Sequence, residues 1–254
     1  MKIVAVIPAH LASVRFPNKI LFELHGLPMI EHVRRRALLS RHISEVIVAT
    51  CDTLIADTIR GFGGEVVMTA NTHTNGTTRV AEAVEKIDCD YVMLLQGDEP
   101  LLLPRHLNEI IKTIKSNPSG DVWNATGSIE LQEDLDKHSF VKCAVSELDR
   151  VISCFRRTPC YSNFEVQQKF IRKILGIIVY RKDFLLELTK LPASLIEEAE
   201  FIEQMRIIEN GYKLQSVPVS PSLPSVNEPQ EANIVLEYIQ SNSEQQELLK
   251  NILG

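Results

Sequence analysis

Apolar residues in this chain fall in short runs that alternate with amphipathic stretches. Lys2 to Ile7 (KIVAVI) is almost continuously apolar, the pattern of a strand covered on both faces. Glu45 to Thr50 (EVIVAT), Glu65 to Thr69 (EVVMT) and Asp90 to Leu95 (DYVMLL) repeat it. Between these runs the period changes. Residues 28–40 open with Pro28, which suits a first helical turn, and place Met29, Ile30, Val33 and Ala37 at helical spacing. Asp52 or Thr53 can cap a helix that Gly61-Phe62-Gly63-Gly64 ends. In residues 77–87, Val80, Ala83, Val84 and Ile87 share a face, and Pro104 opens another helix to about Ser116. This alternation predicts an α/β fold: a mostly parallel, twisted sheet with helices on both faces.

The second half changes character. Asp121 to Ser128, Val141 to Val145 and Val151 to Phe155 read as shorter strands, and residues 156–170 as loop. Ile174 to Tyr180 reads as a buried strand, residues 195–210 as a helix ended by Gly211, and Lys213 to Val217 as a strand. Residues 229–240 give a closing helix, and the tail after Ser241 a frayed or partner-contacting one. No repeat, low-complexity tract or linker divides the chain. It reads as a single domain, 1–254, with halves 1–120 and 121–254.

Composition narrows the function classes. A chain of 254 residues buries enough surface to fold without a disulfide or structural metal. Its net charge of −6 argues against general nucleic-acid binding, while leaving room for a local basic pocket. No apolar run reaches the ~18 residues of a membrane span. Pro8, His10, Arg15 and Lys19 follow the first run too closely for a signal peptide. The five cysteines include no C-x-x-C pair, which disfavours structural zinc and fits reduced thiols in a cytoplasmic protein. Without an H-E-x-x-H or G-x-S-x-G motif, zinc hydrolases and serine triads lack support.

In open parallel sheets, ligands bind beyond the carboxyl ends of the strands. That rule selects residues 8–19, 69–79 and 96–100. In the first loop, Arg15 and Lys19 flank Pro17; beside free backbone N–H groups, two such cations can hold a polyphosphate. The same pattern also suits a solvated basic loop, and neither a G-x-G-x-x-G nor a P-loop motif is present. In Gln96-Gly97-Asp98-Glu99-Pro100, Asp98 can hold Mg²⁺ against phosphate oxygens. Gly97, Asp98 and Pro100 are also ordinary turn residues.

The ordered set is more specific than either segment alone. V-I-P-A-x-x-A-S-x-R-F-P-x-K, H-G-x-P-M-I-E-H-V, V-I-V-A-T, G-G-E-V-V-M-T, H-x-x-G-T-x-R and L-Q-G-D-E-P follow one another through residues 2–104. This resembles the CMP-Kdo synthetases, the 3-deoxy-manno-octulosonate cytidylyltransferases of the sugar nucleotidyltransferase fold. The likeness continues more weakly at Val141-Lys142, Phe155-Arg156-Arg157, Leu175-Gly176-Ile177 and Glu203-Gln204-Met205-Arg206. It implies a Rossmann-like nucleotidyltransferase domain that transfers CMP from CTP to an anionic sugar acid and releases pyrophosphate. Residues 1–120 would bind nucleotide; 121–254 would bind the acceptor and form a homodimer. By motif match, Arg15, Lys19 and Asp98 would be catalytic, with Asp98 on Mg²⁺. Ala9, His10, Ala12, Ser13, Gly76 and Arg79 would bind the nucleotide, and Gln96, Arg157, Glu203 and Gln204 the acceptor.

The departures from the family pattern cluster. His10 stands where relatives carry Arg, and Cys51 where they carry Asp. Ile174 and Ile178 replace a His and a Tyr that face the acceptor sugar, and parity puts both on one sheet face. Asn227 replaces an Asp that is a second metal ligand, keeping a carbonyl oxygen but losing the charge. An apolar wall leaves sugar hydroxyls unpaired, so ordinary Kdo is expected to be a poor substrate. Two alternatives follow. One is the same transfer to another sugar acid, a phosphonate or a phosphorylated small molecule. The other is a non-catalytic nucleotide-binding homologue, against which the retention of Arg15, Lys19, Arg79, Gln96 and Asp98 argues.

Overall fold

The structure is a computed structural model that describes residues 1–13 and 15–254; Val14, within the first loop, lies outside the described residues. The chain forms two compact units, Met1–Asn108 with Leu223–Gly254, and Glu109–Ser222.

The first unit grows around β1 (Ile3–Ala9). Ile3 through Ile7 are wholly buried, as the apolar run requires. A hairpin, β2 (Glu23–Leu24) and β3 (Leu27–Pro28), follows. Its two turn residues, His25 and Gly26, both have positive φ, the geometry of a tight twisted hairpin. Then come α1 (Met29–Leu38), β4 (Glu45–Thr50), α2 (Thr53–Gly61), β5 (Glu65–Met68), α3 (Gly76–Val84) and β6 (Tyr91–Leu95). The four long strands are all parallel, in the order β6-β1-β4-β5. Their carboxyl ends therefore deliver the loops after Ala9, Thr50, Met68 and Leu95 to one edge. Helix α4 (Pro104–Ser116) begins in the first unit and ends in the second.

The second unit is mixed. β7 (Val122–Gly127) is followed by the antiparallel pair β8 (Lys142–Val145) and β9 (Val151–Phe155), then α5 (Phe164–Gln167) and β10 (Ile171–Arg181). α6 (Lys182–Leu188), α7 (Leu195–Glu200), α8 (Gln204–Glu209) and β11 (Leu214–Pro218) complete it. β10 runs antiparallel to β7 and β8, and β11 runs parallel to β7.

Several expectations are corrected here. The helix expected over 195–210 is broken: Phe201 adopts left-handed backbone, φ 54°, and stands exposed while Ile202 turns inward. Arg156 makes this break stable, donating from Nε to the Glu200 carbonyl at 2.9 Å and from Nη2 to the Phe201 carbonyl at 3.2 Å. Carbonyls left open at a helix end need such partners. The loop expected over 156–170 contains α5, capped by the Asn163 side chain on Val166 N at 3.1 Å. The strand expected from Ile174 begins at Ile171.

The chain then returns to the first unit as α9 (Pro229–Ser241) and α10 (Ser243–Leu253). Val226, Ala232, Val235 and Ile239 pack with Leu24, Met29 and Leu101 in one buried cluster. The return explains why the charged face of α1 is buried. Arg36 donates to Gln245 Oε1 at 2.7 Å and to the Leu102 carbonyl at 3.3 Å, and Arg35 to the Ile252 carbonyl at 2.5 Å. Glu31, with no exposed surface, takes two bonds from Arg34 and one from Arg35.

Candidate active site

The strand-end edge of the first unit gathers most of the residues singled out from the sequence. β1 ends at Pro8-Ala9, and α3 starts against it. A Cβ on Gly76 would lie 3.2 Å from Pro8 Cγ, so glycine lets the helix N-terminus come this close. Asn75 caps α3, its Oδ1 accepting from Thr78 N at 2.9 Å. Arg79 is buried and reaches back across the preceding loop, donating to Thr69 Oγ1 at 2.6 Å and the Ala70 carbonyl at 3.3 Å. Glu82 accepts from Ala70 N at 3.1 Å and bonds His73, whose other ring nitrogen meets Thr78 Oγ1 at 3.1 Å. Residues 69–82 are thus stapled shut around the α3 N-terminus.

The first loop has its own anchor in Asp52, whose place in the sequence marks it only as a helix cap. Asp52 Oδ2 accepts from Leu11 N at 2.9 Å. The signal was available: Asp52 follows the end of a parallel strand, one position after the family's expected aspartate. His10 is exposed, and its Nδ1 accepts from Ala12 N at 3.1 Å. Desolvation, then the Arg79 and Lys19 cations, lower its pKa below 6.5 against the opposing pull of Asp52. His10 is therefore a neutral ring with Nε2–H as its donor. Ala9 is buried, Ser13 half-buried, and Ala12 and Arg15 exposed.

Lys19 and Asp98 meet where the loops after the neighbouring strands β1 and β6 come together. Asn18, with φ 55°, turns the chain so that Lys19 opens a short 3₁₀ turn. Lys19 Nζ then lies 2.6 Å from Asp98 Oδ2. Gln96 is half-buried beside them in sequence, at the end of β6. The C-terminal return touches the same loop: Val226 N donates to the Asp98 carbonyl at 2.9 Å. Next in sequence, Asn227 is held by Glu231, whose Oε2 accepts from Asn227 N at 2.5 Å and from Glu228 N at 3.0 Å. Asn227 Nδ2 donates to Ser225 Oγ at 3.2 Å, which leaves Oδ1 as its free end.

These donors are consistent with one kind of cation. Asp98 offers a carboxylate and Asn227 an amide oxygen, and no group of three or more His, Cys, Asp or Glu that could hold a metal ion occurs among the described residues. Mg²⁺ takes most of its ligands from phosphates and water, so two such oxygens would fit it.

The remaining sequence-selected residues lie in the second unit. Arg157 is exposed, Ile174 and Glu203 half-buried, and Ile178 and Gln204 buried at 4% and 9% exposure. Ile174 pairs with Thr126 and Ile178 with Asn124, so both face one side despite an irregular register between them. Glu203 and Gln204 begin α8, which a bidentate Arg206–Glu197 pair at 2.7 Å locks to α7.

The cytidylyltransferase family profile matches residues 4–214. A 3-deoxy-manno-octulosonate cytidylyltransferase of Geobacter sulfurreducens is 36% identical over 250 residues, covering 94% of this chain and 100% of that one. The chain belongs to the 3-deoxy-manno-octulosonate cytidylyltransferase family. It is thus a nucleotidyltransferase. A solved CMP:2-keto-3-deoxy-manno-octonic acid synthetase complexed with CTP matches with a TM-score of 0.88 and 32% identity, covering 94% of this chain and 99% of that chain. Another family member, from Shewanella sediminis, is 34% identical, covers 92% of this chain and 97% of its own, and is named for 8-amino-3,8-dideoxy-manno-octulosonate.

Proposed function

We propose that this cytidylyltransferase moves CMP from CTP to a hydroxyl of an anionic sugar acid of the 3-deoxy-manno-octulosonate type. The observation that carries the reading is the Lys19–Asp98 pair at 2.6 Å, at the strand-end edge where a phosphate chain would lie. An acceptor oxygen bonds to the α-phosphorus as the bond to the bridging oxygen breaks. Pyrophosphate leaves, and the hydroxyl proton passes to water. Such a reaction needs positioning and charge neutralisation more than covalent help from the protein. Arg15 and Lys19 supply positive charge to the triphosphate and the leaving pyrophosphate. His10, Ala12 and Ser13 line the loop that the nucleotide follows, and His10 offers a neutral donor where an arginine would offer a cation. Asp98, with Asn227 Oδ1, would hold Mg²⁺, whose chemistry there is neutralisation of phosphate charge.

A second reading changes only the acceptor. Ile174 and Ile178 present no polar group where hydroxyls would need one, and the Shewanella relative shows by its name that family members differ in acceptor. Arg157 and Gln204 keep the acceptor anionic and polar in this reading. A cytoplasmic homodimer completes it, testable by light scattering. Among the described residues, no helix is long and apolar enough to cross a membrane. The test is ³¹P NMR of protein, CTP, Mg²⁺ and 3-deoxy-manno-octulosonate. A new phosphodiester resonance together with pyrophosphate supports the reading. Unchanged CTP with every anionic sugar acid tried contradicts it.

A further inference from the structure

β10 and β7 do not pair evenly. Ile174 lies opposite Thr126 and Ile178 opposite Asn124, so Leu175, Gly176 and Ile177 together face Ala125 alone. A bulge of this kind strips carbonyls of their ladder partners, and buried carbonyls need replacements. Asn124 provides them. Its side chain has no exposed surface, and Nδ2 donates to the carbonyls of Leu175 at 2.8 Å, Ala125 at 2.9 Å and Ile177 at 3.2 Å. Three carbonyls admit only the NH₂ end of the amide. The other end, Oδ1, therefore faces α8, where Gln204 Nε2 donates to it at 3.0 Å.

The orientation of the second amide follows from the first. An oxygen at Asn124 Oδ1 accepts only a donor, so Gln204 presents its NH₂ there and keeps Oε1 as its free end. We propose that Asn124 is a positioning residue which fixes the Gln204 amide with its oxygen free, so that the acceptor group seated on Gln204 is a hydrogen-bond donor, a hydroxyl or an amine. This rests on the reading of Gln204 as an acceptor-facing residue. It deepens that reading by assigning the polarity of the contact. A free-turning glutamine accepts either a donor or an acceptor; this one discriminates against a carbonyl or ether oxygen at that place. The device is set by the irregular backbone of β10, not by the identity of residue 204 alone.

The test separates the relay from the reaction. In protein labelled with ¹⁵N at asparagine and glutamine side chains, the Gln204 NH₂ protons should exchange slowly, and Asn124→Leu should release them. Rapid Gln204 exchange in the parent, or exchange unmoved by Asn124→Leu, overturns the relay whether or not any acceptor is turned over. The kinetic arm uses Gln204→Glu, which keeps the shape but puts an oxygen against Asn124 Oδ1. With 3-deoxy-manno-octulosonate as the probe, its acceptor kcat/KM should fall on the order of tenfold at pH 8. The KM for CTP should be unchanged. An acceptor kcat/KM equal to the parent's contradicts the proposal. An inactive parent contradicts the proposed function instead, and leaves the exchange measurement to decide the relay.

Discussion

Lys19 Nζ lies 2.6 Å from Asp98 Oδ2, joining two loops that leave adjacent parallel strands. The two side chains are 11% and 25% exposed, so each charge is largely out of water and held by the other. In the proposed function, a triphosphate entering this edge would bring its own negative charge to Lys19, and a cation would take the lysine's place on Asp98.

Asp98→Asn removes the only carboxylate of the pair while preserving its shape. Turnover should fall at least on the order of 10²-fold, the scale of a lost charge-stabilising group. The fold should persist, with a lowered melting temperature, because Lys19 loses its counter-charge at a site largely out of water. Near-normal turnover at ordinary Mg²⁺ would remove Asp98 from its assigned role.

Arg15→Ala and Lys19→Ala should each weaken CTP binding by about 1.5–3 kcal/mol, the worth of a hydrogen bond to a charged group. Titration calorimetry measures this directly. Binding as tight as the parent's in both variants would make the loop a solvated surface.

Chelation should abolish activity, and Mg²⁺ should restore it. In the proposed function Asn227 Oδ1 would be a neutral ligand, so Asn227→Asp should lower the Mg²⁺ concentration needed for half-activity. A Mg²⁺ dependence unmoved by this change would place residue 227 away from the metal.

Acid should destabilise the fold through His32. This ring is wholly buried, Nε2 bonds the Leu24 carbonyl at 2.6 Å, and Nδ1 has no partner. Burial pushes its pKa from 6.5 down to about 4, only partly offset by that bond. The unfolded ring binds a proton first, so the contribution is complete above pH 6.5 and is lost as pH falls toward 4. Stability should drop by about 1.4 kcal/mol per pH unit in that window from this group. Urea unfolding of the parent and of His32→Gln checks it: the variant should show a shallower acid slope.

Much of this was legible in the sequence, and the exceptions share a cause. Strands β1, β4 and β6 announce themselves because a strand buried on both faces is a continuous apolar run between turn residues, whereas β5, read from the same kind of run, is an edge strand with Met68 44% exposed. The three strand-end loops follow from topology alone. What escaped depends on partners far away in the chain. The break at Phe201 needs Arg156, and the buried charges of α1 need Gln245 and the Ile252 carbonyl. Asn124, in the middle of an apolar strand, looks like an interruption until the bulge opposite it is seen. Asp52 was visible as a cap, but its bond to Leu11 N requires two strand ends to be side by side.

The acceptor preference can be read from rates. kcat/KM for ordinary Kdo should be below that for another anionic acceptor, and Ile174→His with Ile178→Tyr should raise it. Ile178 is buried at 4% exposure, so the larger tyrosine should also cost about 1–3 kcal/mol of stability. Efficient use of Kdo by the unaltered protein would show that the apolar face does not govern acceptor choice.

The most direct measurement follows the α-phosphorus. With [α-³²P]CTP, Mg²⁺ and a panel of anionic sugar acids, the label should move to one acceptor with stoichiometric release of unlabelled pyrophosphate, and Asp98→Asn should stop both. Label that stays in CTP across the panel, or that appears only as free CMP with no acceptor dependence, would contradict the assignment of cytidylyl transfer to this site.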